Sequence, residues 1–142
     1  MKTNLDGIFK SDENLARDGV WFDLSDTVGF KLRQYNQFNP NTKAAVARHL
    51  KPYAHQIDKN ILDPKKGLEI KARLLVEISL VDWKGIEIDG KPTDFSPEIA
   101  VQFLMELPDL LDTLTDHAQR TENYRKDTEA LGNSSQITSD GA

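Results

Sequence analysis

Between Asp63 and Trp83 the apolar residues fall on two faces of one helical wheel, and no other pattern restricts the fold as strongly. Asp63-Pro64 is a helix-start signal, because the missing N–H and fixed φ of proline do no harm at the first helical position. From there Leu68, Ala72, Leu75, Val76 and Trp83 line one side, and Ile70, Leu74, Ile78 and Val81 line another. Glu69, Arg73 and Glu77 form an i,i+4 charge ladder between them. A helix that is apolar on two sides needs cover on two sides. Either it is the central helix of the domain, or one face meets another protein. In a chain of 142 residues, the size of one ordinary domain, the central-helix reading is the expectation.

The flanking segments supply candidates for that cover. Val20, Phe22 and Leu24 alternate with polar or outward residues, and after Ser25-Asp26-Thr27 the alternation resumes with Val28, Phe30 and Leu32, which predicts a hairpin with one apolar face. A two-stranded ribbon is marginal alone, so this face must lie on the helices or on a partner's strand. Asn36 to Asn41 is a turn-rich link. After it Val46, Leu50, Tyr53, Ala54 and Ile57 make a helical stripe through Pro52, where the helix kinks or two short helices meet; the kink is the expectation. Ile86 to Pro92 reads as a tight loop or a short hairpin closed by Asp89-Gly90. Ser96-Pro97-Glu98 starts a helix to about Glu106, apolar nearly all round, and Leu107-Pro108-Asp109 breaks it and starts a last amphipathic helix running to about Lys126. Residues 1–18 and 128–142 are polar and are expected to be a flexible arm and a disordered tail around a globular part at 19–127. The fold class predicted is α+β: a mainly helical single domain of four to five helices with a small N-terminal β-hairpin.

Eighteen basic against twenty-three acidic residues give a net charge of −5, which opposes general nucleic-acid binding. The absence of cysteine removes disulfides and thiolate chemistry. No apolar run reaches bilayer length, and the first residues lack the apolar core of a signal peptide, so a soluble cytoplasmic protein is expected. Asp112, Asp116 and His117 are close enough in sequence to hold a divalent ion loosely, yet an acidic solvated helix face accounts for the same letters. A calcium loop with Gly90 at its sixth position would put Gly85 and Ser96 where carboxylates are needed, so that reading fails. Glycine-rich phosphate loops, HExxH and GxSxG are absent, which moves the expectation to a non-enzyme without a cofactor. Lys31, Arg33 and Tyr35 alternate along the second strand, a basic strip beside an aromatic, and read first as a solvated face. Trp83, at the end of an apolar face, reads as core and not as a ligand cage.

The order of the punctuation carries further information: Asp82-Trp83-Lys84-Gly85, Asp89-Gly90-Lys91-Pro92, Phe95-Ser96-Pro97-Glu98, then Glu106-Leu107-Pro108-Asp109-Leu110-Leu111. With Leu50-Lys51-Pro52-Tyr53 and the link from Gln56-Ile57 to Leu62-Asp63, this series resembles the phage tail assembly chaperones of long-tailed bacteriophages, over about Gly19 to Arg125. The resemblance implies a host-cytoplasmic protein without catalytic residues that binds the tape measure protein, keeps it soluble and helps recruit tail tube protein. Such a protein needs apolar surface for partners and for copies of itself. The sequence offers Val20, Phe22, Val28 and Phe30 on the hairpin with Lys31 and Arg33 at its rim, and Ile70, Leu74 and Ile78 on the second face of the central helix. Two other readings stand beside it: a head-tail connector or tail terminator forming a fixed ring, and a nucleic-acid-binding regulator using the Lys31, Arg33, Tyr35 strand.

Overall fold

A computed structural model describes residues 1–125 of the protein. The chain runs α1 (Asp6–Phe9), α2 (Glu13–Asp18), β1 (Val20–Asp23), β2 (Gly29–Leu32), α3 (Thr42–His49), α4 (Ala54–Asp58), α5 (Pro64–Ile78), β3 (Leu80–Lys84), β4 (Glu87–Ile88), β5 (Lys91–Pro92), α6 (Pro97–Glu106) and α7 (Pro108–Gln119). Single 3-10 turns sit at Lys51–Tyr53 and Thr121–Tyr124. The architecture is α+β and mainly helical, with one antiparallel sheet of order β1-β2-β3 and a separate β4-β5 ribbon.

Helix α5 is central, and its two faces belong to two apolar clusters. Ala72, Leu75 and Val76 join the larger one, with Phe30, Leu32, Leu80 and Trp83 from the sheet, Ala100 and Leu104 from α6, and Leu111 and Leu114 from α7. Ile70, Leu74 and Ile78 join the smaller one, closed by Ala45 of α3 and flanked by Tyr35, Leu50, Tyr53 and Leu62. Burying a side chain of this kind is worth about 1.5–3 kcal/mol, so the second face stabilises the seat of α3 on α5. The ladder between the faces is used as well. Glu69 pairs with Lys66 at 3.1 Å and Arg73 at 2.8 Å, while Glu77 bonds across to α3, to Arg48 and to His49 Nε2 at 2.8 Å.

The central helix is shorter than its apolar pattern predicts. It ends at Ile78, and Leu80–Lys84 turns back as β3 beside β2, so Trp83 belongs to a strand and not to the helix. Leu80 and Trp83 are three residues apart and would point to opposite faces of a regular strand; a register shift opposite Lys31/Leu32 brings both to the core. The indole lies among Phe30, Phe95 and Phe103, with ring centroids 6.4, 5.4 and 5.3 Å away, and its Nε1–H donates to the Thr93 carbonyl at 2.8 Å. Gly85 ends the strand at φ 73°, where the Thr27 carbonyl leaves no room for a Cβ. The third strand from the chain itself, with the helices, supplies the cover that the hairpin needed.

Other boundaries follow their local chemistry. The Ser96 hydroxyl accepts from the Ile99 N–H at 3.2 Å and α6 spans Pro97–Glu106, as the Ser-Pro-Glu signal predicts. Asp89 at φ 54° and Gly90 at φ 77° close β4 and β5 as a two-residue hairpin. At Pro52 the expected kinked helix is broken into α3, a 3-10 turn and α4, because Pro52 cannot donate within a continuous helix. Helix α7 stops at Gln119, short of Lys126, and Tyr124 closes the core beyond it, its hydroxyl donating to the Leu32 carbonyl at 3.1 Å. Residues 1–18, expected to be irregular, hold two short helices instead. Asp12 caps α2 by accepting from the Asn14 and Leu15 N–H groups, its own N–H donates to the Tyr124 carbonyl at 2.7 Å, and the Gln34 N–H donates to the Ala16 carbonyl at 3.1 Å. The tail expected at 128–142 lies outside the described residues.

Truncating Trp83 to alanine removes the largest ring of the aromatic group and is expected to cost about 3–5 kcal/mol in urea unfolding, against about 1 kcal/mol for Ser96→Ala. A Trp83→Ala variant with the parent's unfolding midpoint would contradict the buried strand assignment.

Candidate functional site

The sequence placed partner binding on side chains that the fold mostly covers itself. Phe30 is fully buried, and Phe22 and Val28 pack half-buried on the larger cluster. Ile70, Leu74 and Ile78 are buried under α3, which corrects the idea that the second face of the central helix is free for a partner. Val20 is half-buried and pairs with Leu32 in register. Lys31 sits between Trp21 and Asp82 in the sheet register. Tyr35 packs against both clusters instead of lining the strip with Lys31 and Arg33, and burial pushes its phenol above the usual range. The regulator reading thereby loses its stacking aromatic.

Of the proposed residues, Phe22 lines a shallow hollow with His117 and Arg120, and Arg33 lines a larger one among the described residues. This is an open groove of about 930 Å³ between the N-terminal helices and the link before α3. Two phenylalanines of its lining stand exposed, Phe9 at 74% and Phe38 at 82%. Phe38 is held outward by an Asn36 turn, in which Asn36 Oδ1 accepts from the Phe38 N–H at 3.0 Å and the Asn39 N–H at 3.1 Å. The Asn39 amide then donates to the carbonyls of Gln34 and Ile78 at 2.8 and 2.9 Å, tying the link to the end of α5. On the other wall, Arg125 bonds to the carbonyls of Gly7 and Ile8 and holds α1 in place beside Phe9. The lining carries Lys10, Arg17, Arg33 and Glu13; Arg17 is already paired with Asp18 at 3.0 Å, which leaves Lys10 and Arg33 as the lining cations with no ion pair among the described residues. The arrangement suits an apolar segment with acidic neighbours.

The model of the YdaY prophage protein family matches residues 38–133. The chain belongs to that family. It is therefore phage-derived, and the matched range starts at Phe38 on the groove and takes in α3 to α7. No curated protein and no solved structure matches. In this YdaY prophage family member no helix among the described residues is long and apolar enough to cross a membrane. No cluster of three or more His, Asp or Glu side chains among them is placed to hold a metal ion.

The Asp112, Asp116, His117 series resolves into separate contacts. Asp116 pairs with Arg120 at 2.9 Å, and the His117 imidazole lies flat on Phe22, centroids 3.9 Å apart and 8° from parallel. Burial, aided by the Arg120 charge, lowers the His117 pKa from 6.5 to about 4. The folded value lies below the unfolded one, so the unfolded chain takes up this proton first as pH falls. His117's contribution is complete above about 6.5 and is lost as pH falls towards about 4. Replacing His117 by Phe keeps a ring on Phe22 and is expected to flatten stability between those values by roughly 2 kcal/mol, allowing for partial exposure. Unfolding curves across this range check it; an unchanged slope would mean that His117 protonates freely in the fold.

Proposed function

We propose that this phage-derived protein is a tail assembly chaperone: it binds apolar, helix-forming segments of the tape measure protein in the host cytoplasm, keeps that protein soluble, and helps bring tail tube protein to it. The observation that carries the reading is the groove with Phe9 and Phe38 uncovered on its rims, joined to the order of Trp-Lys-Gly, Asp-Gly-Lys-Pro, Ser-Pro-Glu and Leu-Pro-Asp, which resembles that family. Two exposed aromatic rings across a groove are what an amphipathic helix with spaced apolar anchors docks against. Binding of this kind uses no metal, nucleotide or catalytic group.

Co-expression with the tape measure protein of the same prophage is the test. Capture of either protein is expected to retain the other, and the tape measure protein is expected to stay soluble only with its companion. Phe38→Asp should weaken that capture by about tenfold or more while leaving the melting temperature nearly unchanged, because the ring makes no core contact. Phe30→Asp should unfold the domain, since it buries a charge without a partner. A tape measure protein that stays insoluble and uncaptured would contradict the chaperone assignment and favour a connector or terminator that forms a fixed ring.

A further inference from the structure

We propose that the groove also seats the α6–α7 corner of a second copy of this chain, so that the protein assembles head to tail. The corner is the complement of the groove. Leu107 stands 43% exposed between Glu106 and Asp109, both exposed, with Pro108 fixing the turn into α7. The groove offers Phe9 and Phe38 to an apolar anchor and Lys10 and Arg33 to its carboxylates, Arg17 being already paired with Asp18, in a chain whose net charge is −5. An apolar centre with opposite charges around it is the usual composition of a specific interface.

The fold prevents a chain from filling its own groove. Thr121 and Gln34, which line the groove, lie just past the C-terminal end of α7, where the Tyr35 N–H meets the Ala118 carbonyl at 2.9 Å. The corner is at the other end of the same helix. Twelve residues of α-helix put the two about 18 Å apart, and α7 is fixed along its length by Leu111, Leu114 and Ala118 in the core. Donor and acceptor patches at opposite ends of one rigid element make a heterologous contact, which closes into a ring or continues as an open filament. A client segment in the groove would displace the corner. Self-association itself stands without the client, so the two claims fail separately.

The test is the mass of the full chain in solution by sedimentation. In low salt at high micromolar concentration the protein is expected at a multiple of 16.0 kDa, moving towards 16.0 kDa in about 1 M salt, where screening shortens to roughly 3 Å. Lys10→Glu with Arg33→Glu, and separately Glu106→Lys with Asp109→Lys, should each give single chains. Mixing the two variants should restore the heavier species, because each acidic groove then meets a basic corner and each basic groove an acidic one. Phe38→Asp, which touches no core residue, should also give single chains with an unchanged melting curve. A wild-type protein of 16.0 kDa under the first condition would overturn the proposal, as would variants that assemble like the parent or a mixture that stays monomeric. Binding of a fluorescent single-stranded oligonucleotide to a monomeric wild type, lost in Phe38→Asp, would overturn it in favour of a strand-binding groove.

Discussion

The two-sided burial of α5 is the constraint on which the rest depends. One face gathers the sheet, α6 and α7 into the larger cluster, and the other holds α3 through Ile70, Leu74 and Ile78. A helix with one apolar face can sit at the edge of a domain, but a helix with two must have elements on both sides. The path of the chain follows from this need. The segment before α5 supplies α3, and the segment after it turns back at once as β3 to pair with β2. Trp83, three residues into that return, then gives the sheet, the β4–β5 ribbon and α6 a common contact through Phe30, Thr93, Phe95 and Phe103.

Much of the fold was legible because its signals are local. Ser96-Pro97-Glu98 marks a helix start whatever packs on it, and Asp89-Gly90 closes a ribbon through its own backbone angles. The two faces of α5 were legible from periodicity. The end of α5 was not, because Leu80, Val81 and Trp83 also satisfy helical spacing; the bulge that puts Leu80 and Trp83 on one side of a strand leaves no separate mark in the sequence. The N-terminal helices were missed for a related reason. Asp12 caps α2 locally, but the hydrogen bonds that seat these helices on the domain go to Gln34, Tyr124 and Arg125, far along the chain, and composition carries no trace of such partners.

The candidate site was less legible than the fold. Periodicity identifies side chains that require cover but not what supplies it, so Phe30, Ile70, Leu74 and Ile78 read equally as core or as interface until α3 and β3 are placed. Phe9 and Phe38 belong to no stripe. That isolation was the available signal: an aromatic in a turn-rich link, such as Phe38 between Asn36 and Asn39-Pro40, has no regular element to carry it inward. Arg33 was found, though for a different surface. Membership of the YdaY prophage protein family gives the chain a phage origin.

The fold covers both faces of α5 with its own elements and leaves Phe9 and Phe38 exposed on the groove, where the proposed function puts the partner. A photo-crosslinking side chain placed at Phe38 or at Leu74, in cells that also make the tape measure protein, tests that placement most directly. Irradiation should join the chain to the tape measure protein from position 38, and position 74 should give only links within the chain to α3. Crosslinks to the tape measure protein from position 74 and none from position 38 would contradict the account.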